Sequence, residues 1–190
     1  QRRGDPLVVT QDEGIRPATT VETLAGLRPA FAEGGSITAG NSSQISDGAA
    51  AVLVTTSERA RELGLSPLAR VHTATVVGGD PIAMLDAPGP ATHKALARAG
   101  LRLDDIGTFE VNEAFASVVG AWLADTRVER DRVNPDGGAI ALGHPLGGSG
   151  ARLATTLVHR MVREGHRYGL HTMCEGGGMA NATIYENLRA

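Results

Sequence analysis

From residue 67 onward the chain alternates between two hydrophobic rhythms, and that alternation restricts the fold more than any other feature. "PLARVHTATVV" is a β-branched run suited to a strand, and "GPATHKALARAGL" has the period of a short helix ending at Gly100. "LDDIGTFEVN" then predicts a strand, and "EAFASVVGAWLAD" a helix. After a glycine-rich turn, a further helix is predicted over about 150–164, with Leu153, Leu157, Met161 and Val162 at helical spacing and Gly165 as its stop. "RYGLHTMC" and "GMANATIYE" read as two strands joined at "EGGG", most simply an antiparallel pair. Strands alternating with helices imply an α/β layer structure.

The upstream third is less regular. Gly and Pro punctuate the first forty or so residues in "GDP", "EGIRP", "LRPAF", "EGG" and "TAGN". This predicts an irregular segment with one short helix, "TVETLAGL", capped by Thr20 and with Glu22 and Thr23 in its first turn. Residues 49–56, "AAAVLVTT", read as a buried strand. "SERARELG" follows as a helix capped by Ser57 and stopped by Gly64.

Several function classes are excluded early. A net charge of -3 with no basic block argues against a nucleic-acid partner. The longest apolar stretch, "GAAAVLVTT", is too short to span a bilayer, so no membrane partner is expected. Cys174 is the single cysteine, which rules out an internal disulfide framework and a cysteine-cluster metal site. A reducing, cytoplasmic compartment is the corresponding expectation, and no metal is expected. The start "QRRGDPLVVTQDEGIRP" lacks the apolar run of a signal peptide. It also lacks an initial methionine, and the expectation is a chain cut from something longer.

Three short stretches set a polar, reactive residue beside glycine or at a strand end: Asn112 in "VNEAFA", His144 in "GHPLGGSG" and Cys174 in "MCEGGG". Strand ends in α/β proteins are where ligands usually sit. His144 precedes a helix start, whose dipole would keep the imidazole neutral and able to act as base or donor; the bland alternative is a loop histidine packed on Pro145. Cys174 is either a buried small hydrophobe or a thiol able to exchange a proton, with "EGGG" amides close enough to serve as an oxyanion hole. Asn112 can hold a water or a histidine, although local sequence favours an ordinary helix cap ahead of "EAFASVVGAWL". "GHPLGGSG" is neither a Walker-type phosphate loop nor a dinucleotide fingerprint, and Ala151 breaks a G-x-S-x-G reading of Ser149. "NSS" and "NAT" match glycosylation acceptors by spacing only.

Taken together, "NEAFA", "GGAIALGHPLGGSGARL" and "CEGGGMANATIYE", in that order, resemble the thiolase family of acyl-CoA C-acyltransferases. The likeness extends through "DEGIRPATTVETLAGLRPAF" and "SITAGNSSQISDGAAAVL". It implies an α/β fold, a thiolase-like half with a mixed sheet and helices packed on its faces. A thiolase is roughly twice this length, so the expectation is a C-terminal half: 1–46 the end of the CoA-binding loop region, 47–66 the last strand and helix of the N-terminal domain, and 67–190 the C-terminal domain.

The resemblance further implies thiolytic cleavage of 3-ketoacyl-CoA or the reverse Claisen condensation. Cys174 matches the family's acid/base cysteine. His144 matches the histidine that activates the nucleophile and helps stabilise the thioester oxyanion. Asn112 matches the residue that positions a water in the same oxyanion hole, and Gly176 falls where a backbone amide serves a second hole. The nucleophilic cysteine belongs to the family's N-terminal half and has no counterpart here, so the chain alone is expected to be inactive. Coenzyme A and acyl-CoA are the implied substrates, with no covalently bound cofactor. Arg16, Thr23, Leu27, Ala30, Phe31, Ala39, Ser43 and Phe115 lie at positions resembling CoA contacts, Ser43 the best single candidate; for Leu27, Ala30 and Phe31 the alternative is packing of a small helix. Implied partners are the N-terminal half and, in the intact protein, further copies in a homo-oligomer. "NEAFA" without a histidine points away from the sterol-carrier-type branch, and Glu175 is placed to raise the pKa of the neighbouring thiol. Two rival readings are a ketoacyl-synthase-type condensing enzyme, which normally has a second histidine where Asn112 stands, and a non-catalytic CoA-binding or assembly module.

Overall fold

A four-stranded mixed sheet in the order β1-β4-β3-β2 organises the C-terminal part of the chain. A computed structural model describes Gly4, residues 8–12 and residues 14–190, so most of the "GDP" turn expected at 4–6 lies outside the described residues. The chain separates into two compact units, residues 1–40 and 41–190.

In the first unit the one helix is α1 (Val21–Ala25), and Thr20 caps it as expected. Its Oγ1 accepts the Thr23 N–H at 3.2 Å, while Thr23 Oγ1 accepts the Thr20 N–H at 2.8 Å. Five residues make too little helix to carry a core, and none of them is buried.

The second unit begins with two departures from expectation. Residues 49–56 form neither strand nor helix, and Leu53 and Val54 are 80% and 74% exposed. An apolar run becomes a buried strand only where a neighbour supplies ladder bonds and a covering layer, and no described strand lies alongside this one. The helix that follows, α2 (Ser57–Glu62), is capped by Thr56 rather than Ser57, the Thr56 hydroxyl accepting from Arg59 N at 3.1 Å. Only a side chain one position before the first helical residue reaches back to that amide.

Thereafter the predicted alternation is realised as β1 (Ala69–Gly78), α3 (Pro88–Ala99), β2 (Ile106–Val111) and α4 (Ala116–Thr126), then α5 (Ala139–Leu142), α6 (Ser149–Glu164), β3 (Tyr168–Glu175) and β4 (Met179–Asn187). The four-residue α5 inside the glycine-rich turn has no counterpart in the sequence reading. β1 and β3 each run antiparallel to β4, whereas β2 and β3 are parallel, which requires a crossover, here supplied by the chain from α4 through α6.

The two faces of the sheet are covered differently. Phe109, Val111, Leu170, Ala180, Ala182 and Ile184 point into a core shared with Ala91 and Ala95 of α3 and with Trp122 of α4. The Trp122 indole N–H donates to Thr92 Oγ1 at 2.9 Å, and that hydroxyl donates to Pro88 O at 2.8 Å, so burying the tryptophan leaves no orphan donor. α6 lies on β2 and β3 from the opposite side, burying Leu153, Leu157 and Met161 at every fourth position. The outer edge of β2 is closed by residues 133–134: Asn134 N donates to Phe109 O at 2.9 Å, and the Asn134 side chain bonds both the N–H and the C=O of Val111 at 2.8 Å. Among the described residues no helix is long and apolar enough to cross a membrane.

His171 is a buried liability in this architecture. It is 7% exposed, and its Nδ1 has no hydrogen-bond partner among the described residues. Burial pushes its imidazole down to about 4. Between its ordinary value near 6.5 and about 4, the unfolded chain binds a proton that the folded chain refuses, so stability is full above that window and declines as pH falls through it. Glu110 acts in the opposite sense: burial raises its carboxyl to about 7, so its contribution is present at acid pH and fades as pH rises through that value. Urea denaturation between pH 4 and 6.5 is therefore expected to show a shallower acid decline in His171→Leu than in the parent chain; equal slopes would assign that decline to other groups.

Candidate functional site

The parallel pairing of β2 with β3 brings two of the singled-out residues to one end of the sheet. Val111 is in register with Thr172, and Asn112 N donates to Thr172 O at 3.0 Å. Cys174 lies two residues further along β3, in register with Ala180. Gly176 follows in the exposed turn to β4.

A second set of backbone bonds delivers His144. Ser43 N donates to Ala114 O at 3.0 Å, and Ser42 pairs with Phe115. A few residues on, His144 N donates to Gln44 O at 2.8 Å, and Ile45 bridges to His144. Residues 42–45 thus stitch the "NEAFA" stretch to the "GHP" stretch, and they carry Ser43 to the side of Phe115.

Asn112 is not a helix cap. α4 begins at Ala116, and its N-cap is Phe115, which offers no side-chain bond. Instead, Asn112 is buried with its Nδ2 at 3.3 Å from His144 Nε2. Its Oδ1 is buried with no partner among the described residues, an acceptor that a donor from a bound molecule would satisfy at a benefit of about 1–3 kcal/mol.

The hydrogens on the other side of the ring decide its tautomer. His144 Nδ1 is 2.6 Å from Ser149 Oγ. That hydroxyl already donates its one hydrogen to Pro145 O at 2.9 Å, so it can only accept from the ring. Nδ1 therefore carries the proton, and Nε2 presents a lone pair to Asn112. Burial, followed by the nearby Arg152 charge, holds the imidazole pKa below its ordinary value, so the neutral form is favoured. The helix dipole invoked from sequence has the same sign, but α6 acts on His144 mainly through these two named side chains.

Glu113 fixes the loop that leads to the histidine. Its buried carboxylate accepts from Asn134 Nδ2 and from Ile140 N, each at 3.2 Å. A Cβ at Gly138 would overlap that carboxyl, which gives one of the loop glycines a steric reason to be there. Sequence reasoning assigned no role to Ser149, Glu113, Asn134 or Gln44. Ser149 was weighed only as a nucleophile, although a serine opening a helix five residues after a histidine could have been read as its partner.

The Cys174 thiol is half-buried. Burial raises its pKa and Glu175 adds to the rise, while a hydrogen bond from its own backbone acts against them. Glu175 Oε1 itself accepts from Asn181 Nδ2 at 2.7 Å. Beside His144, residues 46–50 and 145–148 line an open cleft of about 310 Å³. Among the described residues no three His, Cys, Asp or Glu side chains gather as metal ligands.

Six of the eight CoA-contact candidates, Arg16, Thr23, Leu27, Ala30, Phe31 and Ala39, belong to the first unit. Arg16 Nη1 donates to Gly14 O at 3.2 Å, Thr23 is engaged in capping α1, and Ala30 N donates to Ile37 O at 2.8 Å. Leu27 flanks Gly40, and Phe31 is 73% exposed. Ala39 opens a short 3-10 turn, Ala39–Asn41.

Comparison with known proteins finds relatives over nearly the whole chain. The family model described as "Thiolase, C-terminal domain" matches residues 65–187, and "Thiolase, N-terminal domain" matches residues 1–58. A steroid 3-ketoacyl-CoA thiolase of Mycobacterium tuberculosis is 54% identical over 177 residues, covering 93% of this chain and 43% of that protein. A 3-ketoacyl-CoA thiolase of Bacillus subtilis is 50% identical over 179 residues, covering 94% of this chain and 46% of that protein. The crystal structure of Bacillus anthracis acetyl-CoA acetyltransferase superposes with a TM-score of 0.92 at 40% identity, over 99% of this chain and 48% of that one. Human mitochondrial 3-ketoacyl-CoA thiolase in complex with CoA gives 0.86 at 42% identity, over 94% and 45%. The chain thus spans less than half the length of the relatives it matches.

Two outcomes are expected from this geometry. In nitrogen-15 NMR spectra at pH above the ring's titration, His144 reports an Nδ1–H tautomer, and Ser149→Ala shifts the population toward Nε2–H; an unchanged tautomer in Ser149→Ala would detach the hydroxyl from that role. Gly138→Ala is expected to lower stability by about 1–3 kcal/mol in urea denaturation, as overpacking against a fixed buried group does.

Proposed function

The chain belongs to the thiolase family, and we propose that it acts as the C-terminal half of a thiolase that interconverts 3-ketoacyl-CoA with two shorter acyl-CoA units. The observation that carries this reading is the chain of contacts from Ser149 through His144 to Asn112, which leaves an unprotonated Nε2 at the end of the sheet where Cys174 also lies. Residues 1–46 are read as the end of a CoA-binding loop region, 47–66 as the close of the N-terminal domain and 67–190 as the C-terminal domain. The exposed apolar run at 49–56 supports this division, because a partner half would supply the strand it lacks.

In thiolysis, the proposed first step is transfer of a thiol proton from a cysteine of the N-terminal half to His144 Nε2, and the thiolate then attacks the 3-keto carbon. The imidazolium so formed is a donor at Nε2 and stabilises the developing oxyanion, with a water held by Asn112 as second donor. Cleavage of the bond between the α-carbon and the keto carbon leaves an acetyl-CoA enolate, which takes its proton from Cys174 Sγ while the Gly176 amide stabilises the enolate oxygen. Free CoA gives its thiol proton to the Cys174 thiolate and attacks the acyl-cysteine; the acyl-cysteine bond breaks to release the shortened acyl-CoA, and the freed cysteine thiolate recovers the proton held on His144 Nε2. A thiol whose pKa is raised by burial and by Glu175 is protonated near neutrality and ready for its donation. Ser43, Phe115, Arg16, Thr23, Leu27, Ala30, Phe31 and Ala39 are the proposed CoA contacts, and CoA and acyl-CoA the proposed ligands. The N-terminal half and further copies of the intact protein are the proposed partners, and the cytoplasm is the proposed compartment.

A chimera tests the reading directly: this chain replaces the C-terminal half of the Bacillus subtilis relative. The chimera is expected to cleave acetoacetyl-CoA with CoA, and Cys174→Ala or His144→Ala to lower kcat by about 100-fold or more. Undiminished thiolysis in either variant would refute the assigned proton transfers. The isolated chain is expected to show no turnover; turnover by it would overturn the need for a second cysteine.

A further inference from the structure

Two ionic groups behind the histidine, the buried Glu110 and the half-buried Arg152, take no part in the steps above. Glu110 precedes Asn112 by two residues on β2 and is 1% exposed. Its Oε2 is 3.3 Å from Arg152 Nη1. Arg152 sits one turn along α6 from Ser149, on the same side of the helix as the hydroxyl that accepts the His144 proton. The second guanidinium nitrogen, Nη2, is buried with no hydrogen-bond partner among the described residues. A pair with an orphaned donor is poor at stabilising a fold, since apolar residues of similar volume would often do as well. Its positive charge is incompletely answered, and the neighbouring ring feels it.

We propose that Glu110 and Arg152 are positioning residues for His144: the carboxylate anchors the guanidinium one turn into α6, and the guanidinium's charge keeps the imidazole unprotonated with Nε2 toward Asn112. This inference rests on the reading of His144 as a base and assigns the groups that hold it in that state. Arg152 opposes protonation of His144, acting second to burial. Ser149 of α6, Asn112 at the end of β2 and the Gln44 carbonyl complete the ring's surroundings. Glu110 is faced by Arg152 from α6, by Glu113 beyond β2 and by Asp136 ahead of α5, with His171 as its register partner on β3. Burial raises the Glu110 carboxyl to about 7 despite the guanidinium. As pH falls through that value the proton goes to Glu110 first, Arg152 is left less compensated, and protonation of the ring is driven to lower pH.

NMR titration of the His144 ring in the full 190-residue chain tests the coupling. Arg152→Met and Arg152→Gln are each expected to favour the protonated ring by about threefold or more, and Arg152→Lys to restore the parent behaviour in large part. Amide spectra establish that each variant is folded. Arg152→Gln is the safeguard if Arg152→Met fails to fold, because its amide keeps a hydrogen-bond donor on the side chain that faces Glu110. A folded Arg152→Met or Arg152→Gln chain whose His144 titrates as in the parent overturns the proposal. The readout is ring protonation and not turnover, so an inactive chimera with intact coupling would sink the enzymatic reading alone, and an active one without coupling would sink this one alone.

Discussion

Everything in the site depends on β2 and β3 running parallel, with β3 continuing past the end of β2. The last ladder bond between them, from Asn112 N to Thr172 O, fixes Asn112 at the strand end and leaves Cys174 on the adjoining strand a short step further. Parallel pairing forces a crossover, and the crossover is where α5, the histidine loop and α6 are housed. The chemistry-bearing loop is therefore a consequence of the sheet's connectivity. Asn134 protects the arrangement at its open edge, because its side chain replaces a missing neighbour strand at Val111 while its second contact reaches Glu113.

Much of this was legible in the sequence because it is local. The stripe of Leu153, Leu157 and Met161 identifies both α6 and its buried face, and Gly100 and Gly165 end their helices in the left-handed region at φ 68 and 70. The strands from 69 to 187 follow from β-branched runs between turn residues. What failed is what depends on partners. "AAAVLVTT" has every local property of a core strand, yet burial is a property of a neighbourhood, and none is supplied by the described residues. Asn112 failed in the other direction: a cap was the reasonable local reading, but α4 starts four residues later and the side chain is drawn to a histidine 32 positions away. The motif blocks pointed to the family and the Ser149 partner was within reach of its spacing, while the contacts of His144 with Gln44 and Asn112 join segments far apart in the chain and carry no spacing rule that sequence could reveal.

The histidine loop also shows why glycines and a glutamate occur together. Glu113 holds α5 through the Ile140 amide, and Gly138 leaves room for its carboxylate. The segment 42–45 then pins the loop from the outside through backbone bonds that do not depend on side-chain identity. A loop so rich in glycine would otherwise be mobile. Backbone ties on one side and a buried carboxylate on the other allow it to be open to a ligand without being loose.

Burial acts on the two reactive groups in opposite directions and with one result. It lowers the pKa of His144 and raises that of Cys174, so each is favoured in its uncharged form, which under the proposed thiolysis suits the one to act as base and the other as acid. With both groups neutral at rest, the proposed reaction would place new charge on them only as it proceeds. Such charge needs donors already in position, since a partly desolvated site cannot recruit them from bulk water. The Asn112 amide and the glycine-rich turn after Glu175 offer groups of that kind at the strand ends. Arg152, paired with the buried Glu110, sits one turn into α6 behind the histidine, and its charge opposes protonation of the ring.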